Sequence, residues 1–152
     1  MPRERIEFLS AVLLVSRDPE RLARFYRDVL GVPLEDERHG KTLPHWGCTM
    51  GDVHFAIHPV EDFPEDRACA VGAVKLAFAV FDLDGFVREL KARGVEPLHP
   101  PRDEGFCRMT ALRDPDGNHL EFTELGQEWF RHLEERRAKG SDILERWKRD
   151  CR

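Results

Sequence analysis

Residues 10–16 alternate along an extended chain. Ala11, Leu13 and Val15 fall on one side, and Ser10, Val12 and Leu14 on the other, which predicts a buried strand. The period then changes. Leu22, Phe25, Tyr26, Val29 and Leu30 recur at helical spacing, with Asp18 as cap, Pro19 at the first position and Gly31 as stop. Strands are predicted over 32–37, 42–50 (bent by Pro44) and 53–58. In the last of these, Val53, Phe55 and Ile57 share one face and His54, Ala56 and His58 the other. Residues 59–70 carry Pro, Asp, Glu and Arg without periodicity and read as a linker.

The order then restarts. Residues 74–81 predict a strand and Asp82 a cap. Leu83, Phe86, Val87 and Leu90 form a helical stripe ending at Gly94, and 95–98 predict a strand. Residues 99–105 read as a Pro-rich loop, with 102–106 a lip over a pocket. A hairpin over 107–113 and 118–123 turns on Pro115-Asp116-Gly117-Asn118. Leu120 and Phe122 share one face; His119, Glu121 and Thr123 share the other. The two halves repeat at an offset of about 65 residues, a duplication rather than a short-period array.

The predicted fold is α+β. Two tandem βαβββ modules, about 8–60 and 72–125, make one domain over 1–125. Their sheets form a concave mixed surface with the helices outside, and that concavity is where a pocket forms. A helical extension follows over 126–152. Its stripes, Trp129-Phe130-Leu133 and Ile143-Leu144-Trp147, either pack back on the domain or meet a second copy.

Composition narrows the function. The 152 residues are 41% hydrophobic with a net charge of −5, and no basic patch stands out, so nucleic acid is not expected as a partner. No stretch suits a membrane span, and the apolar run at 8–15 lacks the basic flank and cleavage site of a signal peptide. Four cysteines without a CxxC pair point to a reducing compartment, hence a cytoplasmic protein. Cys107 has no activating partner, and no phosphate loop or Ser-His-Asp order is present.

The duplicated module, the segment 15–31 (VSRDPERLARFYRDVLG), Phe81-Asp82-Leu83-Asp84 and Arg113-Asp114-Pro115-Asp116-Gly117-Asn118-His119-Leu120-Glu121 together resemble the vicinal oxygen chelate superfamily. This is the glyoxalase, bleomycin-resistance and extradiol-dioxygenase group. The resemblance covers roughly 8–125 and speaks to fold more than to reaction. It implies four inward cation ligands, one from the first and last strand of each module. Glu121 matches, and His54 is inward with His58 four residues on. The other two positions depart, reading as Ser10 and Lys75. Ser is a weak ligand, and a protonated ammonium coordinates nothing.

Two readings follow. In the first, the metal site is degenerate and no cofactor is needed. Ser10, Lys75, Trp46, His58 and Phe106 line a small-molecule cup, His54 and Glu121 are its candidate acid–base groups, and the protein is a homodimer. In the second, His54 and Glu121, with His58 or His119, hold Zn, Ni, Mn or Fe in a lyase, isomerase or dioxygenase.

Overall fold

Two strand–helix–three-strand units follow one another along the chain, as the alternation predicts. The computed structural model describes residues 11–38, 42–51, 53–62, 74–104, 107–127 and 131. In the first unit β1 (Ala11–Ser16) leads into α1 (Pro19–Arg24), which continues as a π-helical turn (Phe25–Val29). Then come β2 (Glu35–Glu37), β3 (His45–Met50) and β4 (Val53–Pro59), closed by a 3-10 turn (Val60–Asp62). The second unit has β5 (Lys75–Val80), α2 (Leu83–Ala92), β6 (Arg102–Asp103), β7 (Cys107–Arg113) and β8 (His119–Leu125).

Each unit folds into a four-stranded sheet with the same plan, β1-β4-β3-β2 and β5-β8-β7-β6. In each, the first strand runs parallel to the last, and the remaining pairs are antiparallel. The parallel pair exists because the helix returns the chain across the sheet. Asp18 Oδ1 accepts from the Arg21 amide at 3.1 Å, with Pro19 opening α1. At α2, Asp82 Oδ1 accepts from Gly85 N and Glu124 Oε2 from Leu83 N, both at 2.8 Å, so carboxylates meet the amides left free at the helix start.

Three expectations change. Residues 95–98 do not form a strand. The second sheet takes its edge from Arg102–Asp103 instead, while Leu98 N makes a lone bond to Ala111 O at 2.7 Å. Pro97, Pro100 and Pro101 deprive that stretch of the amides a ladder needs. The strand expected over 32–37 shrinks to Glu35–Glu37. The helix predicted through Leu30 widens after Arg24, with Leu30 N bonding Phe25 O, which keeps Phe25, Tyr26, Val29 and Leu30 on the core. The expected extension over 126–152 lies outside the described residues apart from Gly126, Gln127 and Arg131, as does the 105–106 part of the lip.

One core serves both units. Leu14, Tyr26, Phe55 and Ile57 of the first pack in the same cluster as Leu83, Leu90, Leu120 and Phe122 of the second. The Tyr26 and Phe55 rings both meet Phe78, at centroid distances of 6.4 and 6.3 Å. Tyr26 is fully buried, and its hydroxyl donates to Asp114 Oδ2 at 2.8 Å. Asp114 also accepts from the Asn118 and Asp116 amides and from Asn118 Nδ2, so the Asp-Pro-Asp-Gly-Asn turn is wired from within. Among the described residues no helix is long and apolar enough to cross a membrane.

Candidate functional site

Strand alternation divides each sheet into a helix face and an opposite face. Val12, Leu14, Phe55 and Ile57 take the helix face of the first sheet, and Leu76, Phe78, Leu120 and Phe122 that of the second. The candidate chemistry lies opposite. On the first sheet that face carries Ala11, Leu13 and Val15 from β1, His54, Ala56 and His58 from β4, His45, Gly47 and Thr49 from β3, and Glu35 and Glu37 from β2. On the second it carries Lys75, Ala77 and Ala79 from β5, His119, Glu121 and Thr123 from β8, and Met109 and Ala111 from β7. Because the helix faces share a core, both site faces turn away from it. Leu13 is 43% exposed and Lys75's side chain 63%.

On the second sheet, Lys75 Nζ sits 2.7 Å from Glu121 Oε1, and His119 Nε2 lies 3.7 Å from the same oxygen. The ammonium thus neutralises a carboxylate flanked by apolar Leu120 and Phe122. Small residues recur on both faces, Ala11, Gly47 and Ala56 on one and Ala77, Ala79 and Ala111 on the other, with polar groups beside them.

On the first sheet, Glu37 Oε2 stands 3.6 Å from both His45 Nε2 and His54 Nε2. Gly47 permits this. A Cβ there would run into the Glu37 carboxylate and come within 2.9 Å of His54 Cε1. His45 Nδ1 lies 2.9 Å from Leu43 O, and since a carbonyl only accepts, that nitrogen carries a proton. The His45 ring stacks on His58 at 3.9 Å, and His58 Nδ1 lies 3.0 Å from Asp62 Oδ2. Burial alone would raise Asp62's pKa, but the Leu43 amide and His58 more than offset it, leaving the carboxyl below its ordinary value.

The structure sorts the predicted residues. His54 and His58 share one site face, as their spacing implied, and His58 is buried there. Lys75 and Glu121 meet directly. Trp46 is corrected: it pairs with Ile57 and packs on the core from the helix face, so it does not wall the cup. Ser10 and Phe106 lie outside the described residues. Sequence reasoning missed His45 and Glu37. Gly47 within a strand was the available signal, since it marks a close approach. Burial first, then neighbouring carboxylates, pushes the Cys48 and Cys107 thiols up, so neither is an activated nucleophile.

The two sheets also align the four positions where the superfamily places cation ligands. Ala11 pairs with His54 and Leu13 with Ala56; in the repeat, Lys75 pairs with His119 and Ala77 with Glu121. Lys75 therefore corresponds to Ala11, and Glu121 to Ala56. His54 is the counterpart of His119, which corrects its expected place as the counterpart of Glu121. Two methyl groups, an ammonium and one carboxylate do not fit a divalent cation. The alternative set draws His54 and His58 from one sheet and His119 and Glu121 from the other, with the site faces turned away from the shared core.

Residues 8–122 match the family described as Glyoxalase/Bleomycin resistance protein/Dioxygenase superfamily. Among solved structures the chain resembles TnmS3, an antibiotic binding protein from Streptomyces sp. CB03234, with TM-score 0.66, 21% identity, and coverage of 82% of this chain and 100% of that one. It resembles TioX from Micromonospora sp. ML1 with TM-score 0.61 and 23% identity, covering 78% and 99%. A superfamily member from Sphaerobacter thermophilus DSM 20745 gives TM-score 0.61 and 20% identity, covering 78% and 97%. Comparison with curated proteins finds no match.

Proposed function

The chain belongs to the glyoxalase/bleomycin resistance protein/dioxygenase superfamily, and we propose that it is a small-molecule-binding protein of that group whose cup works without the superfamily's metal. The observation that carries this reading is the Lys75–Glu121 ion pair at two of the positions where the superfamily has cation ligands, with the module-one counterparts reduced to Ala11 and Ala56. Lys75, paired with Glu121, gives the cup an oriented ammonium donor, and the Ala and Gly positions give it an apolar floor. The ligand class that fits is a planar aromatic molecule bearing a carboxylate or other anionic group. Glu121 keeps the ammonium oriented until the ligand's anion shares it, and His54 offers a hydrogen-bonding ring nitrogen at the other wall.

The cup is completed in a homodimer. Within one chain the site faces turn away from the shared core, so the module-one face of one copy closes on the module-two face of the other. Exposed apolar residues such as Leu13 and Val15 gain cover in that arrangement. The similarity to an antibiotic binding protein agrees with this reading. The cytoplasm suits a protein with unpaired thiols at Cys48 and Cys107.

Isothermal titration of chelator-treated protein with polycyclic aromatic carboxylates and their neutral esters tests the proposal. The acids should bind and the esters bind at least tenfold more weakly, with the difference lost in Lys75→Met. Failure of every member to bind, or binding that needs added metal, contradicts it.

A further inference from the structure

At the end of the first sheet's site face lies a cluster that the cup reading leaves unused. His45 and His58 are 1% and 6% exposed, and Asp62 lies beside them with its side chain nearly covered. Each of the three offers a ligand atom, and those atoms all lie within 4.8 Å of one another. The surroundings fix their geometry. The Leu43 carbonyl holds one nitrogen of His45 at 2.9 Å, and the Leu43 amide donates to Asp62 Oδ1 at 2.9 Å. One residue's backbone therefore orients two candidate ligands, the outer support that metal-binding side chains characteristically have.

The donors also converge. His58 Nδ1 lies 3.0 Å from Asp62 Oδ2, and the His45 ring stacks on the His58 ring at 3.9 Å with Glu37 Oε2 3.6 Å from His45 Nε2. A dication suits such a set, since neutral imidazoles and a carboxylate are its usual ligands. Two imidazoles with one carboxylate favour zinc, cobalt or nickel over calcium or magnesium, which take oxygen donors.

We propose that His45, His58 and Asp62 bind a divalent transition-metal ion at a site separate from the superfamily's own metal position. The ion enters where His58 Nδ1 and Asp62 Oδ2 face each other at 3.0 Å, water completes its shell, and Glu37 lies alongside to balance charge. The site is built from β3, β4 and the 3-10 turn after β4, so a single module supplies every protein ligand. It does not depend on the cup's occupant or on a second copy.

The test uses the full chain freed of metal by chelation. Cobalt(II) is titrated at about pH 7.5 and followed by visible absorption, and zinc affinity is read by competition. One ion per chain is expected, with zinc raising the unfolding temperature. His58→Ala and Asp62→Asn should each weaken uptake at least tenfold, and Lys75→Met should leave it unchanged, which separates this site from the cup. Far-UV circular dichroism checks that the variants fold, and Asp62→Asn preserves side-chain shape if His58→Ala does not fold. No saturable uptake by the unaltered chain, or unaltered affinity in folded Asp62→Asn, overturns the proposal.

Discussion

Lys75 and Glu121 show how far a single residue's surroundings decide its role. Their ion pair is short, yet the ammonium is mostly exposed, so its net contribution to stability is about 0–1 kcal/mol. Lys75→Met should therefore change the urea midpoint little while removing preference for anionic ligands. Gly47 is the opposite case, a residue with no chemistry that places others. Gly47→Ala should cost about 1 kcal/mol or more, because a methyl group there displaces Glu37. The same change made in a Glu37→Ala background should cost less, and a double-mutant cycle of denaturant unfolding measures the coupling. At this scale the sequence was readable where a residue's face depends on its own strand. The sharing of one face by His54 and His58, and by His119 and Glu121, followed from period two alone. Trp46 was misplaced, and His45 and Glu37 missed, because the faces of β3 and β2 are settled by pairing with β4 and β3, which alternation within a strand does not reveal.

Elements with strong local signals formed where the sequence put them. Asp18-Pro19 starts α1, Asp82 starts α2, and Gly31 and Gly94 follow the two helices with φ of +77°. Elements that rest on edge pairing moved, as the shift from 95–98 to Arg102–Asp103 shows. The link between β4 and its 3-10 turn carries a pH dependence. Asp62 has a folded pKa below its unfolded value, so its contribution is present above about pH 4 and is lost as pH falls through the folded value. Unfolding free energy measured from pH 6 down to pH 3 should fall in that window, and Asp62→Asn should flatten the fall. An unchanged slope in the variant would locate the acid sensitivity elsewhere.

For the whole molecule, the joint between modules matters most. Burial, then the charge of Asp114, drives the Tyr26 pKa far upward, so its hydroxyl stays a donor to Asp114 at any working pH. Tyr26→Phe removes that bond from a buried carboxylate. It should cost about 2 kcal/mol, or roughly 5 °C in Tm for a chain of this size, with the circular-dichroism and fluorescence transitions still coincident. The duplication and the α+β plan were legible because each module repeats the same order of periods. The shared core was not, since Tyr26 meets Phe78 and Asp114 across a long stretch of chain and nothing local announces it. That joint turns the site faces outward, and the proposed dimeric cup rests on it.

The proposed function rests on a metal-independent cup in which the Lys75 ammonium receives the ligand's anion. The most direct measurement is the affinity of chelator-treated protein for an aromatic carboxylate, compared between the unaltered chain and Lys75→Met by calorimetry. Saturable binding without metal is expected, with a loss of at least tenfold in the variant. Binding that appears only when metal is restored, or that is indifferent to Lys75, would contradict it.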